Sequence, residues 1–250
     1  MTITSHHNQR LKEIRKLRQR RRERERSARF VAEGEDLLAA ADAAGWPALE
    51  RFCVAGSGLA GIEIEPAALA SVSGLASGTR TLAVYEERWA PAALGPLCVY
   101  LHGVSDPGNV GAVLRSAQAF GASSVVLGPG TADPYSPKAV RASMGAIFAV
   151  PVARAAADAQ VAELPGSTIA LVAGSGVPLA DVVDVDYRIG SQRQPPPATT
   201  LLIGAEREGL PDALVDQADR VARIPIATDS LNAAMAATVA LYELTRMPPA

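Results

Sequence analysis

The sequence predicts an α/β fold with a mainly parallel sheet and helices on both faces, preceded by a small N-terminal α/β domain. From about residue 97 onward, strand-like apolar segments alternate with helical segments, which is typical of parallel sheets. The first ninety residues show the same alternation with shorter elements. A Pro- and Gly-rich stretch at 91–96 separates the two parts, so we expect domains at 1–90 and 97–250 joined by a linker.

Local patterns predict the N-terminal elements. Residues 8–29 contain good helix formers, with Leu11, Ile14 and Leu17 spaced three apart, which predicts a basic helix with a thin apolar stripe. Two further helices are expected, one ending before Gly45 and one beginning at a proline, at 34–44 and 66–72. Strands are predicted at 29–32, 51–55, 62–65 and 81–85. The third of these alternates apolar and acidic residues, which suits a sheet edge.

The second part has longer elements. Its predicted strands are 97–102, 124–127, 146–150, 168–173, 200–203 and 220–224. Its predicted helices are 109–120, 137–144, 155–164, 211–217 and 230–246. A Pro-rich stretch, Gln192–Pro197, is expected to be an exposed, mobile loop.

Composition excludes several classes of protein. No run approaches the roughly 18 uninterrupted apolar residues of a membrane span, and the N-terminus is too charged for a signal peptide. Cys53 and Cys98 each lie in an apolar strand, where a buried thiol is expected rather than a disulfide or metal ligand. We therefore expect a cytoplasmic protein without a membrane segment or a metal site.

Charge is distributed unevenly along the chain. Residues 1–30 contain eleven Arg or Lys and three Glu, a net charge of +8, whereas the other 220 residues contain thirteen basic and 23 acidic side chains, a net charge of −10. A dense basic block attracts polyanions because binding phosphates releases counterions. We expect nucleic acid to contact this block, and a solvated helix face is the alternative.

One apparent motif does not fit its usual context. The run from Gly56 to Gly61 has the spacing G-x-G-x-x-G after a strand. A dinucleotide site also needs a helix to open at these glycines, so that its N-terminus meets the pyrophosphate. Here residues 62–65 and then Pro66 follow, so the motif does not indicate a nicotinamide or flavin site.

The segment from Leu101 to Gly121 is the first of three that could form a site. An apolar strand ends, a turn follows, and Asn109 is expected to cap the next helix. That places Asn109 at the carboxyl edge of the sheet, where open α/β folds bind ligands. Arg115 follows among small and apolar residues, and it needs either an anionic ligand or a carboxylate of the chain as its partner.

Two later segments add polar residues. Gly204 and Gly209 bracket Glu206, so that a ligand could approach the backbone at Gly204 and Glu206 could bind a hydroxyl or orient an Arg. An ordinary charged turn is the alternative. In the third segment, Ser230 is the expected N-cap of an apolar C-terminal helix, and Asn232 needs a hydrogen-bond partner. This helix should be buried on more than one side, against the sheet, a second subunit or both.

The three segments resemble the motifs of the SpoU (TrmH) family of RNA ribose methyltransferases, within the SPOUT class. They occur in the same order as the family motifs, and each lies on a strand–loop–helix element. The resemblance spans residues 97–246, and residues 1–90 more loosely resemble the RNA-binding domain of many members. It implies a homodimer with a C-terminal trefoil knot that uses S-adenosylmethionine to methylate a ribose 2′-hydroxyl, in ribosomal RNA of the large subunit rather than in transfer RNA. The alternative is a non-catalytic RNA-binding or ribosome-assembly protein on the same fold.

The resemblance also implies roles for individual residues. One Arg would be the catalytic residue and four polar residues would support it: Arg115, Asn109, Glu206, Ser230 and Asn232. Three residues would hold the cofactor through their backbone: Gly204, Ile224 and Leu231. The sequence departs from the family pattern at Arg207, where Gly is usual, at residues 233–235, where Val-Ser-Val is commoner, and in a short stretch before Ser230. A guanidinium stays protonated, which favours a positioning role for Arg115 over that of a general base, although the sequence leaves both roles open.

Overall fold

The structure is a computed structural model that describes residues 2–74, 78–182 and 198–246. Within these ranges the N-terminal part forms a four-stranded sheet. Its strands are β1 (Arg29–Glu33), β2 (Glu50–Val54), β3 (Ile62–Ile64) and β4 (Thr81–Glu86), in the order β1-β4-β2-β3. β4 pairs antiparallel with β1 and β2, while β3 pairs parallel with β2 at the edge. The predicted edge strand is therefore confirmed, and it follows Gly61 where a dinucleotide site would need a helix.

Four helices of the N-terminal part are α1 (Gln9–Gln19), α2 (Arg21–Ser27), α3 (Glu35–Ala43) and α4 (Pro66–Ala70). The single basic helix predicted at 8–29 is thus two helices, because Arg20 adopts an extended conformation with φ −127° and ψ 112°. The apolar stripe of α1 is buried in a core with Phe52, Leu69 and Leu82. α1 therefore belongs to the folded core of the N-terminal part and is not a detachable tail.

In the part of the chain that the structure describes, the second sheet has seven strands. They are β5 (Leu97–Leu101), β6 (Ser124–Leu127), β7 (Val152–Arg154), β8 (Ser167–Leu171), β9 (Val177–Pro178), β10 (Thr199–Ile203) and β11 (Arg220–Arg223), in the order β7-β6-β5-β10-β8-β11-β9. Every pairing between these strands is parallel, as predicted. In a parallel sheet all strands end at the same edge, so the loops that follow them converge there.

Helices cover both faces of this sheet, which confirms the predicted layers. They are α5 (Pro107–Ala119), α6 (Pro137–Ala142), α7 (Asp212–Gln217) and α8 (Ala233–Thr245). α5, α6 and α8 share a core with Val99, Leu101 and Ile203 on one face. α7 packs with the alternate strand residues Cys98, Tyr100 and Leu202 on the other. The alternation of strand side chains between the two cores is what a sheet buried on both faces requires.

One continuous core joins the two sheets. Phe30 of β1 packs its ring against Tyr135 and Phe148 of the second part, with centroids 4.7 and 5.9 Å apart. Beside them Arg24 of α2, only 4% exposed, donates two hydrogen bonds of 2.8 and 2.7 Å to one carboxylate oxygen of Asp133. Because the core is shared, the domain limits 1–90 and 97–250 and the linker 91–96 stay predictions.

One predicted strand is wrong, and one predicted helix is shorter than expected and of the 3-10 type. The strand expected at 146–150 is a 3-10 helix, Ala146–Phe148, and the edge strand β7 follows it. Gly145, at φ +95°, and Pro151 bracket this segment, and a short all-apolar run fits a buried helical turn as well as a strand. The α-helix expected at 155–164 is a 3-10 helix over Asp158–Glu163.

Other expectations have mixed outcomes. Cys53 and Cys98 are buried free thiols, as predicted, and burial raises the pKa of Cys98. No helix of the described residues is long and apolar enough to cross a membrane. The loop expected at Gln192–Pro197 lies outside the described residues. The trefoil knot stays a prediction.

Candidate functional site

The three segments singled out in the sequence meet at the carboxyl edge of the second sheet. β5 and β10 are hydrogen-bonded neighbours with Leu101 opposite Ile203, so the loops that follow them emerge side by side. The chain after β5 leads into α5 and the chain after β11 leads into α8. Ser116 of α5 and Thr238 of α8 share a hydrogen bond of 2.6 Å between their hydroxyl oxygens, which ties the two helices together on one face of the sheet.

Asp106, and not Asn109 as predicted, caps α5. Its carboxylate accepts hydrogen bonds from the backbone amides of Gly108 and Asn109, at 2.5 and 3.3 Å. The same carboxylate accepts a hydrogen bond of 2.7 Å from Lys138 of α6, and these three bonds lower the pKa of Asp106. Pro107 occupies the first helical position, so Asn109 lies in the first turn with its side chain available for other contacts.

The side chains of Asn109, Glu206 and Asn232 form one hydrogen-bonded network. Both amides donate to the same oxygen of Glu206, with a distance of 3.0 Å for Asn232. Asn232 also donates to the side-chain oxygen of Asn109 at 3.1 Å. The network therefore connects one residue from each of the three segments, which are 97 and 26 positions apart in sequence.

Asn232 is also the N-cap of α8. Its side-chain oxygen accepts hydrogen bonds from the backbone amides of Ala234 and Met235, at 3.0 and 3.3 Å. The prediction that Ser230 caps this helix is wrong, because the helix begins only at Ala233. The prediction that Asn232 finds a hydrogen-bond partner is confirmed, since both ends of its amide are engaged.

Glu206 projects from a tight turn that follows β10. The backbones of Ala205 and Gly209 pair across the turn through hydrogen bonds of 3.1 and 2.9 Å. Gly204 lies directly beneath it, and a Cβ at Gly204 would come within 2.1 Å of the carbonyl carbon of Gly209. The missing side chain at Gly204 is therefore required by the turn itself, whether or not a ligand approaches the backbone there.

Arg115 lies on α5, less than two turns beyond Asn109, and its side chain is exposed. Of the two partners the sequence allowed, a carboxylate of the chain is not found among residues 2–74, 78–182 and 198–246. A guanidinium that forms no ion pair is available for an anion from outside the chain. Arg115 is not part of the hydrogen-bonded network of Asn109, Glu206 and Asn232.

The remaining predicted residues lie at the same edge but outside the network. Gly204 is buried after β10, Ile224 is half-buried after β11, and Leu231 is half-buried just before the cap of α8. Ser230 is exposed, and its carbonyl accepts a hydrogen bond of 3.4 Å from the Thr228 hydroxyl. The roles of these four residues stay predictions.

Sequence reasoning missed the ion pair between Asp106 and Lys138. The signal for Asp106 was present, since an acidic residue directly before a proline is a typical N-cap followed by the first helical position. Lys138 gave no comparable signal, because its contact depends on the packing of α6 against α5.

Comparisons with known families match most of the chain. Residues 96–242 match the SpoU rRNA Methylase family, and residues 8–88 match the MRM3-like substrate binding domain. The chain is 39% identical over 150 residues, 57% of its length, to a 23S rRNA (uridine(2479)-2′-O)-methyltransferase of Streptomyces viridochromogenes. It is 36% identical over 183 residues, 70% of its length, to an uncharacterized tRNA/rRNA methyltransferase of Mycobacterium tuberculosis. These matches cover 50% and 55% of the relatives, so the chain spans about half the length of the curated relatives it matches.

Solved structures resemble the chain over nearly its whole length. An AdoMet-bound rRNA methyltransferase from Sinorhizobium meliloti is 30% identical with a TM-score of 0.83, covering 98% of this chain and 97% of that one. The SpoU methyltransferase AviRb from Streptomyces viridochromogenes, in complex with the cofactor AdoMet, is 27% identical with a TM-score of 0.80, covering 95% and 97%.

The two roles of Asn232 can be separated by substitution. Asn232→Ala removes the helix cap and the two network bonds that Asn232 donates, whereas Asn232→Ser keeps a capping oxygen and loses only those two network bonds. We expect the Ala variant to be less stable than the Ser variant by about 1 kcal/mol, the usual contribution of an N-cap. Urea unfolding measures the difference. Ser230→Ala is the control and should change stability by less than about 0.5 kcal/mol; a larger loss there would mean that Ser230 is the cap.

Proposed function

Because the chain belongs to the SpoU rRNA methylase family, we propose that it transfers a methyl group from S-adenosylmethionine to a ribose 2′-hydroxyl of large-subunit ribosomal RNA. The observation that carries the proposal is the network of Asn109, Glu206 and Asn232 at the sheet edge, together with Arg115 on α5, which forms no ion pair with the residues that the structure describes. Relatives named as 23S rRNA 2′-O-methyltransferases support the reaction, and the AdoMet in two similar structures supports the cofactor. We also propose that the protein acts in the cytoplasm.

The residues proposed for the cofactor are chemically suited to it. S-adenosylmethionine supplies an electrophilic methyl group on a positively charged sulfur. Ile224 and Leu231 offer half-buried apolar side chains for an adenine ring, and Gly204 adds no side chain of its own. The nearby carboxylate of Glu206 favours a cation over an anion at this edge. We propose that the backbone at Gly204, Ile224 and Leu231 holds the cofactor.

In the proposed reaction the protein would align the 2′-oxygen with the methyl carbon, so that the oxygen–methyl bond forms as the methyl–sulfur bond breaks. S-adenosylhomocysteine would leave, and the hydroxyl proton would pass to solvent. Arg115 suits a positioning role, because its guanidinium forms no ion pair in the described chain and a guanidinium offers only hydrogen-bond donors. It would hold the phosphate beside the target ribose and stabilise negative charge as it develops on the 2′-oxygen. The hydrogen-bonded network would hold its three segments in position around these groups through Asn109, Glu206 and Asn232. Ser230 would be a further supporting residue.

Substitution of Arg115 tests this assignment. We expect Arg115→Ala to lower methyl transfer by about 100-fold or more, the usual effect of removing a group that stabilises developing charge. Arg115→Lys should recover part of the rate, because it restores the charge but not the planar fork. The assay follows a labelled methyl group from S-adenosylmethionine into ribosomal RNA from cells that lack the gene. Gln118→Ala, an exposed change on the same helix, is the control, and normal transfer by Arg115→Ala would contradict the assignment.

We propose that α1 and α2 anchor the RNA, but only through part of the basic block. Two of its arginines are structural: Arg24 pairs with Asp133, and Arg18 pairs with Glu33 in a largely buried contact. The exposed basic residues without an ion-pair partner in the described chain include Lys12, Lys16, Arg20 and Arg22. Their side chains are free to contact phosphates, which supports an electrostatic role for this surface.

Neutralising these exposed residues tests the anchoring role. Deleting residues 1–30 would remove buried core residues of α1, so single and combined Lys→Gln or Arg→Gln changes at Lys12, Lys16, Arg20 and Arg22 are the better test. For every phosphate that the protein no longer binds, the slope of log affinity against log salt should become shallower by about 0.7 to 0.9. Binding of S-adenosylmethionine should be unchanged. Arg80→Gln, an exposed change outside α1 and α2, is the control, and an equal loss of RNA and cofactor binding would contradict the proposal.

We propose a homodimer that forms through α8. The buried side of this helix packs on the sheet, but Met235, Val239 and Tyr242 are 63, 42 and 56% exposed. Their spacing of four and three residues places them on one face, which forms an apolar stripe of the kind that a second subunit buries.

A charge placed in this stripe should dissociate the dimer. We expect Val239→Glu to sediment as a monomer at micromolar concentration while the unmodified chain sediments as a dimer. Leu49→Glu, a matched change at an exposed apolar residue of the N-terminal part, should leave the dimer intact. A monomeric unmodified chain would refute the proposal.

A further inference from the structure

A cavity of about 290 Å³ opens at the carboxyl ends of β5, β6 and β10. Its walls are formed by the three loops that follow these neighbouring strands. They include His102, Gly103, Pro129, Gly130, Glu208 and Pro211. The backbone amide of His102 donates to Ile203, and that of Gly103 donates to Pro129, at 2.8 and 2.9 Å. These bonds tie the loops together, so the cavity is formed before any ligand arrives.

The cavity adjoins the candidate active site, but it is not formed by the residues predicted to bind the cofactor. Glu206 and Glu208 project from the same five-residue turn, and only Glu206 joins the network with Asn109 and Asn232. Gly204, Ile224 and Leu231 do not line the cavity. A ligand in the cavity would therefore lie next to the proposed site of methyl transfer. It would not occupy the proposed cofactor site.

The size and lining of the cavity suit one planar ring. Its volume lies at the lower limit of the roughly 300–1,000 Å³ found for small-molecule sites. Glycine and proline supply most of the wall, and two side chains, His102 and Glu208, supply polar groups. Proteins that recognise a specific ribonucleotide hold its unstacked base in such a pocket and read its hydrogen-bonding edge.

On the basis of the proposed function, we infer that this cavity holds the base of the target nucleotide and that Glu208 reads it. An ionised carboxylate can only accept hydrogen bonds. Guanine presents two adjacent N–H donors on its Watson–Crick edge, which match the two oxygens of Glu208. Uracil presents a single N–H between two carbonyl oxygens. A carboxylate repels these oxygens, because both groups are negatively polarised acceptors. Guanine is therefore the preferred base and uracil the least favoured.

The first test compares bases at the methylated position. Once that position is mapped in ribosomal RNA, four short RNAs that differ only in the target base are assayed for methyl transfer. The guanine RNA should have the highest kcat/KM, and Glu208→Gln should lower that value by about tenfold or more, the usual effect of losing a hydrogen bond to a charged group. Glu163→Gln, an exposed change elsewhere in the second part of the chain, is the matched control. Equal rates on all four RNAs, or an unchanged Glu208→Gln variant, would overturn the inference.

The second test does not depend on methyl transfer. Guanosine 5′-monophosphate is titrated into the nitrogen-15-labelled protein with S-adenosylmethionine present, and the backbone amides of Gly103, Gly130 and Gly209 are followed by NMR. They should shift more with guanosine 5′-monophosphate than with uridine 5′-monophosphate, and Glu208→Gln should remove the difference. If these shifts occur in a protein that transfers no methyl group, the pocket stands and the proposed reaction fails. If Glu208→Gln weakens S-adenosylmethionine binding in the absence of nucleotide, the cavity belongs to the cofactor and the inference fails.

Discussion

The shared carboxylate oxygen of Glu206 holds the candidate site together. It accepts hydrogen bonds from Asn109 in the first turn of α5 and from Asn232 at the cap of α8, and these two helices follow different strands of the sheet. Two amide donors on one charged acceptor make stronger bonds than neutral pairs, and each loop is fixed by the other two. Asn232 also caps α8, so the start of that helix cannot move without breaking the network. The parallel sheet brings three features close to this oxygen: the helix α5 with Arg115, the residues proposed to hold the cofactor, and the cavity lined by Glu208.

The joint between the two sheets fixes the basic helices relative to that site. Arg24 and Asp133 are almost fully buried, and a buried ion pair is stable only when its remaining hydrogen-bonding groups are satisfied. This condition is met: Arg24 also donates to the carbonyl of Leu17 at 2.6 Å, and Asp133 also accepts from the amide of Tyr135 at 2.8 Å. Phe30 packs its ring against Tyr135, whose amide is the one that donates to Asp133. An RNA bound to α1 and α2 would therefore meet the sheet edge at a defined distance and angle.

The sequence predicted the layers of the fold well and the ends of its elements less well. Alternating apolar segments were enough to predict the parallel sheet, whereas the placement of Asn109, Glu206 and Asn232 in one site came from the family resemblance that the three segments show in their order. The helix caps were misplaced by two or three residues, since Asp106 and Asn109, like Ser230 and Asn232, are both good capping types. The cavity beside Glu208 had no sequence signal, because it depends on how three distant loops pack.

The arginines show why partners matter more than counts when charge is used to infer function. The N-terminal block suggested one nucleic-acid surface, yet Arg18 and Arg24 are committed to carboxylates of the chain and contribute to folding. Arg115 is isolated in sequence among apolar residues, and in the described chain it remains without an ion pair. The backbone of Arg115 is fixed by the packing of its helix on the sheet, and its exposed side chain can turn towards a phosphate. Arg115 is thus available for an external anion in the way that Arg18 and Arg24 of the basic block are not.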